Sequence, residues 1–146
     1  AGQPRDALGM YQVALDCAMA EWGKEHPNVA TCYGNIGNVY SAQGDYDNAL
    51  LQQHTSLEIK LRVLESEHPE VAASYNDIGT VYELQGKYEE AGLQFLKSLG
   101  IRLRVLGSGH PDVAVSYHNI GNVYKAQGKH EKALVQYHKS LEIELR

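Results

Sequence analysis

Three groups of residues in this chain could do chemistry. Seven histidines and two cysteines are potential metal ligands or nucleophiles. Gly34 and Gly37 form a G-x-x-G pattern, with Gly79 and Gly121 further on, of the kind that cradles phosphate. Carboxylates at Glu89-Glu90, Glu131 and Glu142/Glu144 could act as acid–base pairs. The spacing argues against each. His26, His68 and His110 recur 42 residues apart, each before a proline, and His54 and His138 occupy one position two periods apart. No His-x-x-x-His or Cys-x-x-Cys pair brings two ligands together, so no metal and no cofactor is expected. A phosphate loop needs a strand before it, and no segment alternates as a strand does. The carboxylates fall on outward helix positions. No G-x-S-x-G, Walker or H-E-x-x-H motif occurs, so an enzyme is not expected.

The elements behind these residues are copies of one another. Glu25–Ser66, Glu67–Ser108 and Gly109–Arg146 are three repeats of period 42, the last four residues short. The second and third are identical at 22 of 38 positions without a gap, the signature of a stacked repeat. Residues 1–24 match the second half of a repeat, so the chain begins mid-repeat, as a segment of a longer array would. The whole of 1–146 reads as a single array.

Each repeat reads as two helices. Pro27, Pro69 and Pro111 suit a first helical position, where no N–H is needed. Apolar and aromatic residues follow at helical spacing, as in Val29, Tyr33, Ile36 and Tyr40. Gly44, Gly86 and Gly128 suit the left-handed residue that ends a helix. The second helix is expected from about Tyr46 to Leu64, burying Ala49, Leu50, Leu57, Leu61 and Leu64. Its copies start near Tyr88 and His130. The prediction is an all-α chain of seven helices, an α-α superhelix of about three and a half repeats. Gly37, Gly79 and Gly121 are then places where two helices approach closely. Cys17 takes the position of Ile59, Ile101 and Ile143 and is expected in the core. Cys32 takes the small position of Ser74 and Ser116. The two could face each other across a hairpin, and both are expected to stay reduced.

Composition bounds the function. The chain has 146 residues, 43% hydrophobic and 21% charged, with a net charge of −5. An acidic balance argues against nucleic-acid binding. No apolar run reaches the roughly 20 residues of a membrane span, and residues 1–6 lack an apolar signal core. A cytoplasmic protein is expected. Ten tyrosines stand against one phenylalanine, Phe95, and one tryptophan, Trp22, which fits a few copied positions.

The pattern Tyr33, Ile36-Gly37, Tyr40, Gly44, Tyr46, Ala49 resembles the tetratricopeptide repeat. Its copies are Tyr75, Ile78-Gly79, Tyr82, Gly86, Tyr88, Ala91 and Tyr117, Ile120-Gly121, Tyr124, Gly128, His130, Ala133. The 42-residue length and the phrases SLEIKLRVLESEHPEVA and SLGIRLRVLGSGHPDVA resemble the variant found in kinesin light chains. The resemblance implies a superhelix whose concave wall binds a protein or peptide partner. The positions it assigns to that wall are Asn35, Asn38, Asp77, Thr80, Asn119 and Asn122. Gly34, Asn76 and His118 lie beside them, and Ser41, Glu83 and Lys125 one turn on. The Lys/Arg clamp that some members use on acidic chaperone tails is replaced here by Gly34, Asn38, Asn76, Thr80, His118 and Asn122. Only Lys125 is basic near the wall.

Two functions follow as expectations. The first is a non-enzymatic interaction scaffold that holds an extended peptide or a helix in the groove. The second is a structural module that self-assembles, end to end or by helix exchange. Its sticky ends would be Ala7, Tyr11 and Ala14 in the first helix and Leu134, Tyr137, Leu141 and Leu145 in the last.

Overall fold

A computed structural model describes residues 4–146; residues 1–3 of the partial repeat expected over 1–24 lie outside the described residues. Seven helices and no strand occur among the described residues. They are α1 (Pro4–Trp22), α2 (Pro27–Ala42), α3 (Tyr46–Val63), α4 (Pro69–Leu84), α5 (Tyr88–Leu106), α6 (Pro111–Ala126) and α7 (His130–Glu144). The chain divides into two compact units, one ending at Ser66 and one spanning Glu67–Arg146. No described helix is long and apolar enough to cross a membrane.

The His-Pro dipeptides do more than mark helix starts. Proline takes the first turn, and the histidine before it is the N-cap. The Nδ1 atoms of His26, His68 and His110 accept from the backbone N–H of Asn28, Glu70 and Asp112 at 3.0, 3.1 and 3.0 Å. Each ring thus satisfies one of the donors a helix start leaves over, and must carry its proton on Nε2 to do so. At the other end of α2 the chain closes on Gly44 at φ +79°. There Asp45 N–H donates to Tyr40 C=O at 2.9 Å and Gly44 N–H to Ser41 C=O at 3.0 Å. This double bond pattern needs the left-handed residue that only glycine adopts freely. Gly86 and Gly128 repeat it.

In the N-terminal unit, α2 lies between α1 and α3. Leu15, Ala18, Val29, Ala30, Ile36 and Ile59 form the core, with Leu8 and Tyr33 packed on its edge. In the C-terminal unit α4 pairs with α5, α6 packs on α5, and α7 pairs with α6. Its core gathers Ala91, Phe95, Leu99, Val113, Ala114, Ile120, Val123 and Ile143. The mid-helix glycines let the paired helices touch. A Cβ on Gly79 would stand 2.8 Å from the Phe95 ring, and one on Gly121 would stand 2.7 Å from the Tyr137 ring. On Gly37 it would meet the Gln53 side chain at 2.9 Å. Close packing, as expected, is what these glycines supply. Two forked ion pairs fasten second helices to the segment before their own first helix: Arg62 to Glu25 and Arg104 to Glu67, each at 2.6 and 3.0 Å.

Two core expectations are corrected. Cys17 is exposed, whereas Ile59 and Ile143 in the same register are buried among residues of α2 and α6. Those isoleucines face the first helix of their own repeat. On α1, which packs on α2 among the described residues, that face is open. Leu61 is 41% exposed. The buried stripe of α3 runs through Ala49, Gln53, Ser56, Leu57 and Ile59, and at 100° per residue Leu61 falls about 120° from Ala49. Cys17 and Cys32 do share one open depression of about 430 Å³, together with Ala18 and Trp22. Both thiols are free, and burial pushes that of Cys32 up, away from reactive thiolate character. The Trp22 indole stacks on His26, ring centroids 4.9 Å apart.

Candidate functional site

In the N-terminal unit, Asn38 is exposed on α2 and Asn35 is half-buried beside it. Gln53 reaches across from α3. Its Nε2 donates to Asn38 Oδ1 at 2.9 Å and to Gly34 C=O at 3.1 Å. Gln53 is only 1% exposed, so these two bonds are what make its burial tolerable.

In the C-terminal unit the same register is built differently. Asn122 on α6 accepts from the Tyr137 hydroxyl of α7 at 2.6 Å. At the same register of the second repeat the pair is Thr80 and Phe95; Phe95 has no polar atom, and Thr80 turns its hydroxyl back onto Asn76 C=O at 3.0 Å. The pairing is consistent along the chain: asparagine at positions 38 and 122 goes with a polar residue on the second helix, and threonine at 80 with an apolar one. That signal was present in the sequence and identifies Gln53 and Tyr137 as residues that orient the Asn38 and Asn122 side chains. Asn119 Nδ2 donates to Asn76 Oδ1 at 2.9 Å, tying consecutive first helices together. Asp77 is half-buried.

His118, Asn122 and Lys125 come together. With Tyr137, Ser140, Leu141 and Glu144 they line an open depression of about 490 Å³. The His118 ring lies against Tyr137 at 5.3 Å, tilted by 52°. Burial pushes the Glu83 carboxyl up while the nearby His118 charge pulls it down. One Glu83 oxygen is buried without a hydrogen bond. Desolvation, then Glu83, pushes the Tyr137 phenol up, so it remains a hydrogen-bond donor at neutral pH. No three metal-ligating side chains gather among the described residues. Within the depression, Ser140 Oγ donates to Glu144 Oε1 at 3.1 Å, one turn along α7.

The tetratricopeptide repeat profile matches residues 1–62, 42–102 and 94–144. No curated protein matches significantly. Among solved structures, BtubC (BKLC) from P. vanneervenii is 25% identical, with a TM-score of 0.88 over 97% of this chain and 57% of its own. A putative kinesin light chain from Podosopora anserina, with nearly identical TPR-like repeats, is 24% identical at a TM-score of 0.82, over 99% of this chain and 68% of its own. Apo RapI is 22% identical at 0.82, over 97% and 49%. This chain therefore spans little more than half of the first of these proteins. The helix pairs, the period and the matches agree: the chain belongs to the tetratricopeptide repeat family, in general a non-catalytic module for protein–protein interaction.

Proposed function

We propose that this chain is a non-enzymatic scaffold that holds an extended peptide along the first helices of its repeats. One observation carries the reading. Asn38 and Asn122 each have their carbonyl taken by a side chain of the second helix. An amide with its oxygen tied down offers donors, and an extended backbone presents a carbonyl at every residue. Asn35, Asp77, Thr80 and Asn119 flank these donors in sequence, and Lys125, with His118 earlier on the same helix, gives the α6 end of the site a basic edge. The residues read shape and backbone more than side chains. Two free thiols suit the reducing cytoplasm.

The test uses a peptide enriched from a random display library, with affinity measured by calorimetry. Replacing Asn38, Thr80 and Asn122 with lysine should abolish capture while leaving helicity intact. Tyr137→Phe should free the Asn122 amide and weaken binding by roughly 3- to 10-fold, the worth of about one hydrogen bond. Unchanged affinity in both would place the site elsewhere.

A second reading, self-assembly, rests on the same depression. Its lining residues Asn122, Tyr137, Ser140, Leu141 and Glu144 are the 42-residue successors of Thr80, Phe95, Ser98, Leu99 and Arg102. Of that earlier set, Phe95, Ser98, Leu99 and Arg102 are buried, and Arg102 bonds directly to α6. On α7 the successor Leu141 is 48% exposed. A first helix from a second copy could cover this face as α6 covers its counterpart. Light scattering over a dilution series decides it: a mass that rises with concentration supports this reading, and a constant monomer ends it.

A further inference from the structure

A third depression lies between α5 and α6, away from every residue considered so far as a binding site. It holds about 320 Å³ and is lined by Tyr88, Gly92, Leu93, Leu96, Ile120 and Val123 among others. Its origin is an exchange within α5. The register of Gly92 holds Leu8, Leu50 and Leu134 elsewhere in the chain, and the register of Leu96 holds Gln12, His54 and His138. The second repeat has thus lost a leucine at one turn and gained one at the next. A Cβ on Gly92 would stand 3.7 Å from Val123 Cγ1, an ordinary contact, so sterics do not demand the glycine. Leu93 and Leu96 are 59% and 49% exposed at the edge of the gap. In the α1–α2 joint the corresponding leucine, Leu8, packs on the core that contains Ile36, the counterpart of Ile120.

We infer that this notch is a binding site for one leucine-sized aliphatic side chain carried by a peptide partner. The chain itself carries a leucine at this register in the equivalent joint, where Leu8 packs half-buried on the core. Leu93 and Leu96 add apolar surface around the entrance, where the other copies of position 96 are polar. Glu89 and Lys129 at the rim supply opposite charges to a passing backbone. The site shares no residue with the asparagine-lined one, so either can fail without the other.

The probe is N-acetyl-L-leucinamide, followed by shifts of the Ile120 and Val123 methyl resonances in the wild-type chain. Saturable shifts are expected, with N-acetyl-L-alaninamide roughly tenfold weaker or more because its side chain buries less apolar surface. Gly92→Leu fills the notch from within and should abolish the response while circular dichroism stays helical. Leu96→His restores the residue type found at the same register elsewhere and should weaken binding at least roughly fivefold. It keeps the test open should Gly92→Leu misfold. No saturable shift in the wild type, or an undiminished one in Leu96→His, overturns the proposal. Concentration-dependent dimerisation abolished by Leu96→His would also overturn it, since the occupant would then be a second copy.

Discussion

The α1–α2 and α5–α6 joints occupy the same place in the repeat and are solved in opposite ways. At α5–α6, Arg102 is 8% exposed and donates to Ser116 Oγ at 2.9 Å and Asp112 C=O at 3.2 Å. Desolvation pulls its guanidinium pKa down, with Asp112 and Asp77 opposing. At α1–α2 the counterparts are Ala18 and Cys32, and the depression shared by Cys17, Cys32 and Trp22 stands where the guanidinium would be. About three helical turns away the roles reverse: Leu8 packs on the core at the first joint and Gly92 leaves the second open. The two joints show that stacking in a repeat chain needs a fixed period but no fixed contact. Each joint holds one filled and one empty position, and which is which is set locally.

The largest break in this comparison should come from Arg102→Ala, which gives α5–α6 the α1–α2 composition halfway. It leaves Ser116 Oγ without its buried partner and removes one acceptor bond from Asp112 C=O, so a loss of about 2–3 kcal/mol is expected from urea unfolding. Adding Ser116→Cys completes the exchange and should recover about 1 kcal/mol, because replacing both partners costs less than orphaning one. A double variant no better than the single would mean the joints are not equivalent. Next comes His110→Ala, which should cost about 1 kcal/mol for one lost cap. His26→Ala should cost somewhat more, because its ring also stacks on Trp22. Equal losses would make that stack idle. Gly92→Ala is expected to stabilise by about 1 kcal/mol through helix propensity, its Cβ meeting Val123 at an ordinary distance. A loss of stability there would show the glycine to be structural.

The smallest effect concerns what the two units share. Arg62 and Arg104, by hydrogen bond first and charge second, hold the Glu25 and Glu67 carboxyls below their ordinary value of 4.5. A depressed carboxyl contributes stability above its unfolded value and loses it as pH falls through the lower folded one. Each pair should therefore stabilise at neutral pH, begin to lose that contribution as pH falls below about 4.5, and have lost it once pH is below the lower folded value. Both sit on the surface, so the effect is slight. Glu25→Gln and Glu67→Gln should flatten the acid limb of the urea midpoint equally; unequal flattening would separate the two units.

Much of the fold was legible because it is written several times. Proline at 27, 69 and 111, glycine at 44, 86 and 128, and the close-packing glycines at 37, 79 and 121 each take their meaning from recurrence. What recurs in register but changes in type was harder to read. Cys17 looked like core because its copies are isoleucines, yet exposure depends on which face of α1 has a neighbour. The histidine caps were visible as a repeated His-Pro, but capping is a matter of ring orientation, which no spacing reports. At the candidate site the asparagines were found from register. The residues that orient them, Gln53 and Tyr137, required matching two columns of the repeat at once.

The tethers between helices are short along the chain. The two Arg–Glu forks join residues 37 apart, and Asn76 and Asn119 are 43 apart. Closing a loop of that length costs about 0.6 kcal/mol less than closing one twice as long. Contacts confined to neighbouring helices favour fast assembly from more than one starting place. Such a polypeptide can begin to organise its earlier helices while later ones are still emerging from the ribosome.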